Sequence, residues 1–389
     1  MSDVRGPTRW PAVVVAVIAV AVAAAMVLLW PGAGETATQR VASAAERGKV
    51  VAVRALRCRA PEARDCRQLD VELLTGPESG LTTQIRVGES LSDSAADVGD
   101  EVRVVQNDVP AGVDEALIDR YTINDFERRQ PLLWLAIGFV VIVLAVGRVR
   151  GARALAGLSA SVTVVFAFIV PAILDGRAPA AAAFVGALAI MLVTVVLTHG
   201  LGAKSVAAIL GTTASLCVTV GLGAMFVQLA HITGLSSDAS TLLLAGREDL
   251  SLEGIVLAGL VIGALGVLDD VTVSQASTVL ALRRANAELS MRQLYRRGLD
   301  VGQDHASATV NTLVLAYVGA GLPVLLIFSG SQARFGDAIN SEAVAQEVVA
   351  MLSGSIGLMT AVPITTAIAA LLAVRLRPEA LPDGHLHVH

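Results

Sequence analysis

Long apolar blocks, joined by short polar segments, make up most of this chain. They run roughly over 11–29, 132–146, 155–174, 180–197, 206–229, 255–282, 306–328 and 348–374. Most hold the roughly 20 apolar residues that a helix needs to cross hydrocarbon, so the pattern predicts an all-α polytopic membrane bundle of about eight helices. The block from Leu132 is the shortest, with Pro131 and Trp134 at one end and Arg148 and Arg150 at the other as interfacial anchors. Between the first two blocks the texture changes. There VVAVRAL, LDVELL, TTQIRV and EVRVVQ alternate or cluster β-branched residues between the turn sequences TGPESG and DVGD. This stretch predicts a small β-barrel or β-sandwich inserted after the first helix.

The domain boundaries follow: 1–30 for the N-terminus and first helix, 31–130 for the β domain, 131–375 for a seven-helix membrane domain and 376–389 for a tail. The segment LIDRYTINDFERRQP leads back to the membrane, with Tyr121 and Phe126 expected at the interface and Asp125, Arg128 and Arg129 in the headgroups. After the sixth block, RRANAELSMRQLYRRG reads as an amphipathic helix, Leu282, Ala285, Leu289 and Leu294 lying near one side.

Composition agrees, with 54% apolar and 16% charged residues. Charge adds orientation. Arg5 and Arg9, then Arg148, Arg150 and Arg153, then Lys204, then the arginines from Arg283 to Arg297, then Arg375 and Arg377 occupy every second joint. The positive-inside rule places those joints and both termini in the cytoplasm, and residues 31–130 outside. The first apolar run is longer than the roughly 7–15 residues of a signal-peptide core, which favours an uncleaved anchor. Cys58 and Cys66 fall in the outer segment and are a disulfide candidate in an oxidising compartment. No cysteine and histidine spacing resembles a metal or haem site, and no cofactor is implied. The strands lack the aromatic platform that a nucleic-acid-binding barrel uses, so nucleic acid is not an expected partner.

Candidate chemistry lies in the last three blocks. A carboxylate at the centre of a spanning helix costs about 2.5–3.5 kcal/mol, so one that is kept there is paired or used. Asp269 and Asp270 sit in GALGVLDDVTVSQASTVLAL, roughly 18–24 Å along a helix from its ends, too deep to reach the surface. Desolvation and the like charge alongside favour a protonated acid, which suits a proton relay. Helical spacing puts Asp270, Ser274 and Ser277 on one stripe, with Asp269 about 100° to the side, nearest Thr272. Gly259, Gly263 and Gly266 are expected to admit a close neighbour. The seventh block adds Asn311 and Thr312. The eighth adds Ser353, Ser355, Thr365 and Thr366, with Pro363 expected to free backbone carbonyls.

GALGVLDDVTVSQAS, RGLDVGQDHASATVNTLVLAYVGAGLP and LSGSIGLMTAVPITT resemble the YibE/F family of bacterial multi-pass membrane proteins, over about 121–374. In that family a single acid is followed by serines four and seven residues later. These fall on Asp270, Ser274 and Ser277, while Asp269 replaces a usually apolar position. The family's Asn-Thr-Leu falls on Asn311, Thr312 and Leu313; Gln303 and His305 depart from its commoner residues. The resemblance implies a bacterial cell-membrane protein and brings no substrate. A looser analogy in element order extends to the RND-type permeases and the SecD and SecF export subunits.

The expected function is a transporter or export-coupled permease with a buried, proton- or ion-linked aspartate. Asp270 is the expected carrier and Asp269, Ser274, Ser277, Asn311, Thr312 and Thr365 its neighbours. The bilayer and a small molecule, ion or exported substrate are the expected partners, and a homo-oligomer is compatible with this reading. The alternative is a non-transporting sensor or partner subunit whose outer domain binds a ligand or protein. No enzymatic activity is expected: adjacent acids on one helix do not converge as an aspartyl hydrolase requires, and neither HExxH nor GxSxG occurs.

Overall fold

The computed structural model describes residues 10–32, 45–56, 66–87, 96–107, 120–236, 240, 243, 250–330 and 334–375. It divides into two compact units, Glu35–Ala145 and Met1–Gly34 with Val146–His389. Cys58 of the disulfide candidate lies outside the described residues, and Cys66 is buried.

The first unit is built on five strands, β1 (Glu46–Ala55), β2 (Arg67–Leu73), β3 (Thr82–Val87), β4 (Glu101–Gln106) and β5 (Tyr121–Phe126). They form one antiparallel sheet in the order β3-β2-β1-β4-β5. The edge strands β3 and β5 come into contact, so the sheet curls on itself. Period-two alternation turns Leu69, Val71 and Leu73, Ile85 and Val87, and Val102 and Val104 into one core with Val50. Gly76, Gly80 and Gly99 take φ of +95°, +88° and +103°, so TGPESG and DVGD are turns that glycine makes without steric cost.

The expected interfacial anchor Tyr121 is instead part of this core. In β5, Tyr121 and Ile123 point inward and Thr122 and Asn124 outward, and Tyr121 is 1% exposed with its hydroxyl on Glu78 Oε2 at 3.1 Å. Burial first, then that hydrogen bond, pushes its phenol above the ordinary tyrosine range. Alternation over YTINDF carried this strand. The adjoining charges obscured it.

The helices are α1 (Trp10–Leu29), α2 (Arg129–Val164), α3 (Val170–Leu174, after a π turn at Val165–Ile169), α4 (Pro179–His199), α5 (Ala203–Leu229) and α6 (Leu252–Ala285). They continue as α7 (Met291–Ala320), α8 (Leu322–Gly330), α9 (Phe335–Asn340) and α10 (Glu342–Arg375). Among the described residues, six helical runs are long and apolar enough to cross a membrane, or seven if α7 and α8, bent by 59°, count as one. The run from Arg129 to Leu174 counts once in that sum, although Arg148 interrupts α2 with φ 47° and ψ −126°.

In the second unit α6 packs against α4, α5, α7 and α10, and α10 also against α5 and α7. Val15, Ile18, Val22 and Met26 of α1 join the same core at helical spacing. Trp30 meets Phe168 with ring centroids 5.8 Å apart, and Gly32 N donates to Asp175 Oδ2 at 3.0 Å. At the neighbouring helix ends Glu342 accepts from Thr233 N at 2.8 Å and Gly234 N at 2.5 Å.

The amphipathic connector is not a separate helix. α6 continues to Ala285, and Ser290 and Gln293 form a capping box that starts α7 at once. Leu289 and Leu294 are buried with Leu280 and Leu372, so the apolar side packs on the bundle.

Helix contacts are closest at glycines. A Cβ added at Gly211 would overlap Thr365 Oγ1, and one at Gly357 would overlap Thr219 Oγ1. Gly357→Val is expected to destabilise the purified protein by about 1–3 kcal/mol or more through overpacking. Gly259→Ala, with nothing within 4 Å of the new Cβ, should leave stability near wild type. Thermal unfolding of both variants in detergent measures the difference.

Candidate functional site

Along α6, Val261, Leu265, Leu268, Thr272, Gln275 and Val279 are buried, which draws polar side chains into the bundle with the apolar ones. Asp269 is half-buried at the edge of this stripe. Its Oδ2 accepts from Thr194 Oγ1 of α4 at 3.5 Å, and its Oδ1 is buried with no hydrogen-bond partner among the described residues. One turn on, Thr272 and Thr212 of α5 share a hydrogen bond of 2.6 Å. A further turn on, Gln275 Nε2 donates to the Gly298 carbonyl of α7 and to Thr366 Oγ1 of α10, both at 2.7 Å. Gly302 leaves room for this amide, since a Cβ there would lie 2.5 Å from Gln275 Oε1. Three successive turns of α6 therefore bind four neighbouring helices.

The circuit closes through α5 and α10. Thr365 is fully buried against Gly211, next to Thr212, and its Oγ1 has no hydrogen-bond partner among the described residues. The bonded hydroxyls of Thr212, Thr272 and Thr366 and the Gln275 amide replace water inside the bundle. Asp269 is the ionisable exception, beside the unbonded hydroxyls of Ser355 and Thr365, because Thr194 Oγ1 also donates to the Met191 carbonyl at 3.2 Å and its contact with the acid is long. A carboxylate oxygen buried without a donor is a place where a proton or an ion would be held. No group of three or more His, Cys, Asp or Glu among the described residues could hold a metal ion.

These spans fall within residues 135–375, which match the family described as YibE/F-like protein. The chain belongs to that family. Neither a curated protein nor a solved structure matches it. The YibE/F-like region takes in α6, α7 and α10, while α1 and the five-stranded sheet precede it.

Within the YibE/F-like bundle the two acids differ in burial, Asp269 being half-buried and Asp270 exposed. Asp270 lies on the same side of α6 as the exposed Gly259, Gly263 and Gly266. A Cβ at Gly259 or Gly266 would meet nothing within 4 Å, so these glycines do not mark the close-packed face. Close approach is made instead by glycines of α5, α7 and α10 against α6 and each other. Ser274 and Ser277 bond back to Val271 and Val273 carbonyls of their own helix, at 3.0 and 2.9 Å. Asn311 and Thr312 are exposed on α7, Thr312 donating to the Ala308 carbonyl at 3.2 Å. Of the expected carrier and its neighbours, Asp269 and Thr365 lie in the interior circuit, together with Thr272 and Thr366, which the sequence also offered.

Gln275, Thr194 and Thr212 were not singled out from sequence. The available signal was periodicity: Gln275 falls three residues after Thr272 and four before Val279, in register with Leu268 and Leu265. Thr194 and Thr212 lie on other helices, and only the tertiary fold brings them to α6.

The second feature of this unit is a cavity of about 740 Å³ where α7 bends into α8. Gly259 of α6, Tyr317 of α7 and Glu347 of α10 reach it.

Gln275→Leu would remove the donor shared by the Thr366 hydroxyl and the Gly298 carbonyl, and is expected to cost about 1–3 kcal/mol. Thr194→Val should cost less, since its bond to Asp269 is long. A lower midpoint in detergent melts for Gln275→Leu than for Thr194→Val supports this ordering.

Proposed function

We propose that the protein is a proton- or ion-coupled permease of the bacterial cell membrane, with Asp269 as the coupling group. The observation that carries this reading is the buried, partnerless Oδ1 of Asp269, a carboxylate oxygen in a bundle whose other partnerless buried oxygens, among the described residues, are the hydroxyls of Ser355 and Thr365. Taking up or releasing a proton there changes the charge at the contact between α4 and α6, the type of intramembrane event a transporter couples to motion. Asp270, Ser274, Ser277, Asn311 and Thr312 are then not first contacts of the coupled ion. Thr365 belongs to the circuit that holds α5, α6 and α10 together.

In this reading the break at Arg148 separates two crossings, the bent pair α7 and α8 makes one, and the total is eight. Both termini are cytoplasmic and the sheet domain lies outside, supported by the basic residues at alternate joints. A homo-oligomer completes it. Asp270, Asn311 and Thr312 are exposed on the single chain at membrane depth, where hydrocarbon is a costly neighbour. Asn311 both donates and accepts, so the same face of a second copy can answer it across a twofold axis. Native mass spectrometry should then show a multimer that the double variant Asp270→Leu, Asn311→Leu shifts to monomer; a wild-type monomer would remove this part of the proposal.

Coupling is tested by a rapid pH step applied to proteoliposomes on a solid-supported electrode. The wild type should give a transient current that Asp269→Asn loses and Asp270→Asn largely retains. Equal currents from Asp269→Asn and wild type would sink the assignment.

A further inference from the structure

We propose that the cavity at the bend between α7 and α8 is a binding site for a lipophilic monocation. This deepens the permease reading by naming its substrate class, and rests on that reading for transport but not for binding.

The cavity exists because of local sequence. In VGAGLP, Gly321 and Pro323 end α7 and restart the chain as α8 at 59°, so the helix leaves the space beside α6 and α10 unfilled. Val256 and Gly259 wall it on one side, Tyr317 and Leu325 from either arm of the bend, and Glu347 and Met351 from α10. Its volume of about 740 Å³ lies within the range of sites that enclose a drug-sized ligand.

Glu347 decides the ligand's charge. It is half-buried in this mostly apolar surround, and no basic side chain is among the described residues lining the cavity. No ion pair or hydrogen bond to its carboxylate is found among the described residues. An anion would face this acid unaided. A neutral acyl chain would cover the walls but leave the charge unanswered. A hard metal ion needs about six oxygen ligands, far more than one carboxylate and the few hydroxyls here supply. A cation whose charge is spread over apolar groups meets all the constraints. It sheds little hydration, fills the walls, places its charge by Glu347 and offers itself to the rings of Tyr317 and Phe335, which also line the site.

The test uses the purified full-length protein in detergent and radiolabelled tetraphenylphosphonium in equilibrium dialysis. Saturable binding is expected, weakened about tenfold in Glu347→Gln, a loss of one charge contact. Gly259→Leu should abolish it by filling the cavity, and the open space around that position lets the variant fold. Neutral triphenylphosphine oxide should compete poorly. Absent saturable binding, equal affinity in Glu347→Gln, or equal competition by the neutral compound would each overturn the proposal. Asp269→Asn should still bind the probe, which separates the two readings: lost binding with an intact pH-step current removes the substrate class alone. Binding without current supports the site and removes the coupling.

Discussion

Polar groups inside this bundle must find partners within the protein, because hydrocarbon provides none. α6 meets that constraint by spacing: Asp269, Thr272 and Gln275, one turn apart, reach α4, then α5, then α7 and α10. Each satisfied pair fixes the rotation and height of α6 against one neighbour, since a slip of one residue would turn Thr272 or Gln275 away from its partner. Glycines at 211, 298, 302 and 357 serve the same geometry by letting backbones approach closely enough for those short side chains to meet. Apolar packing alone discriminates poorly between rotations in a medium as apolar as the side chains. The polar circuit supplies the register.

Long-range order in the sequence was legible where one physical signal dominated. The apolar blocks located the spanning helices, and alternation found four of the five strands. Tyr121–Phe126 was read as an interfacial lead-in because its flanking arginines and acids looked like headgroup anchors, yet Tyr121 fills the sheet core. The connector after Ala285 showed its apolar side correctly, but not that the capping box would merge it into α7. Both errors came from reading charge before periodicity.

The site was less legible, for a specific reason. A glycine stripe in a membrane helix signals close packing on average, and Asp270 shares that stripe, so sequence alone sets a close neighbour beside Asp270. In the fold the stripe is exposed because the partners bring their own glycines to the opposite face of α6. Which helix contributes the small residues to a contact is a property of the pair. One helix's pattern cannot reveal it. The same limit hid Thr194 and Thr212, unremarkable hydroxyls until α6 is placed beside them.

The two features of the bundle differ in how firmly they are held, and this difference bears on mechanism. α5, α6 and α10 are tied by the circuit of Thr212, Thr272, Gln275 and Thr366, with Thr365 pressed between them. α7 joins them through Gly298 and Gly302 near its start, but its far end bends away at Gly321 and α8 buries none of its residues. An element anchored at one end and loose at the other is the one that moves with least disruption of packing. Asp269 lies ten residues along α6 from Gly259 at the cavity wall, about 15 Å by helical rise. In the proposed reading, an ion held at Asp269 and a ligand beside Gly259 are therefore too far apart for direct contact. α6 can carry communication between them as a rigid rod, which is what a helix locked to its neighbours at three successive turns provides, and α7 and α10 also reach both the cavity and the circuit.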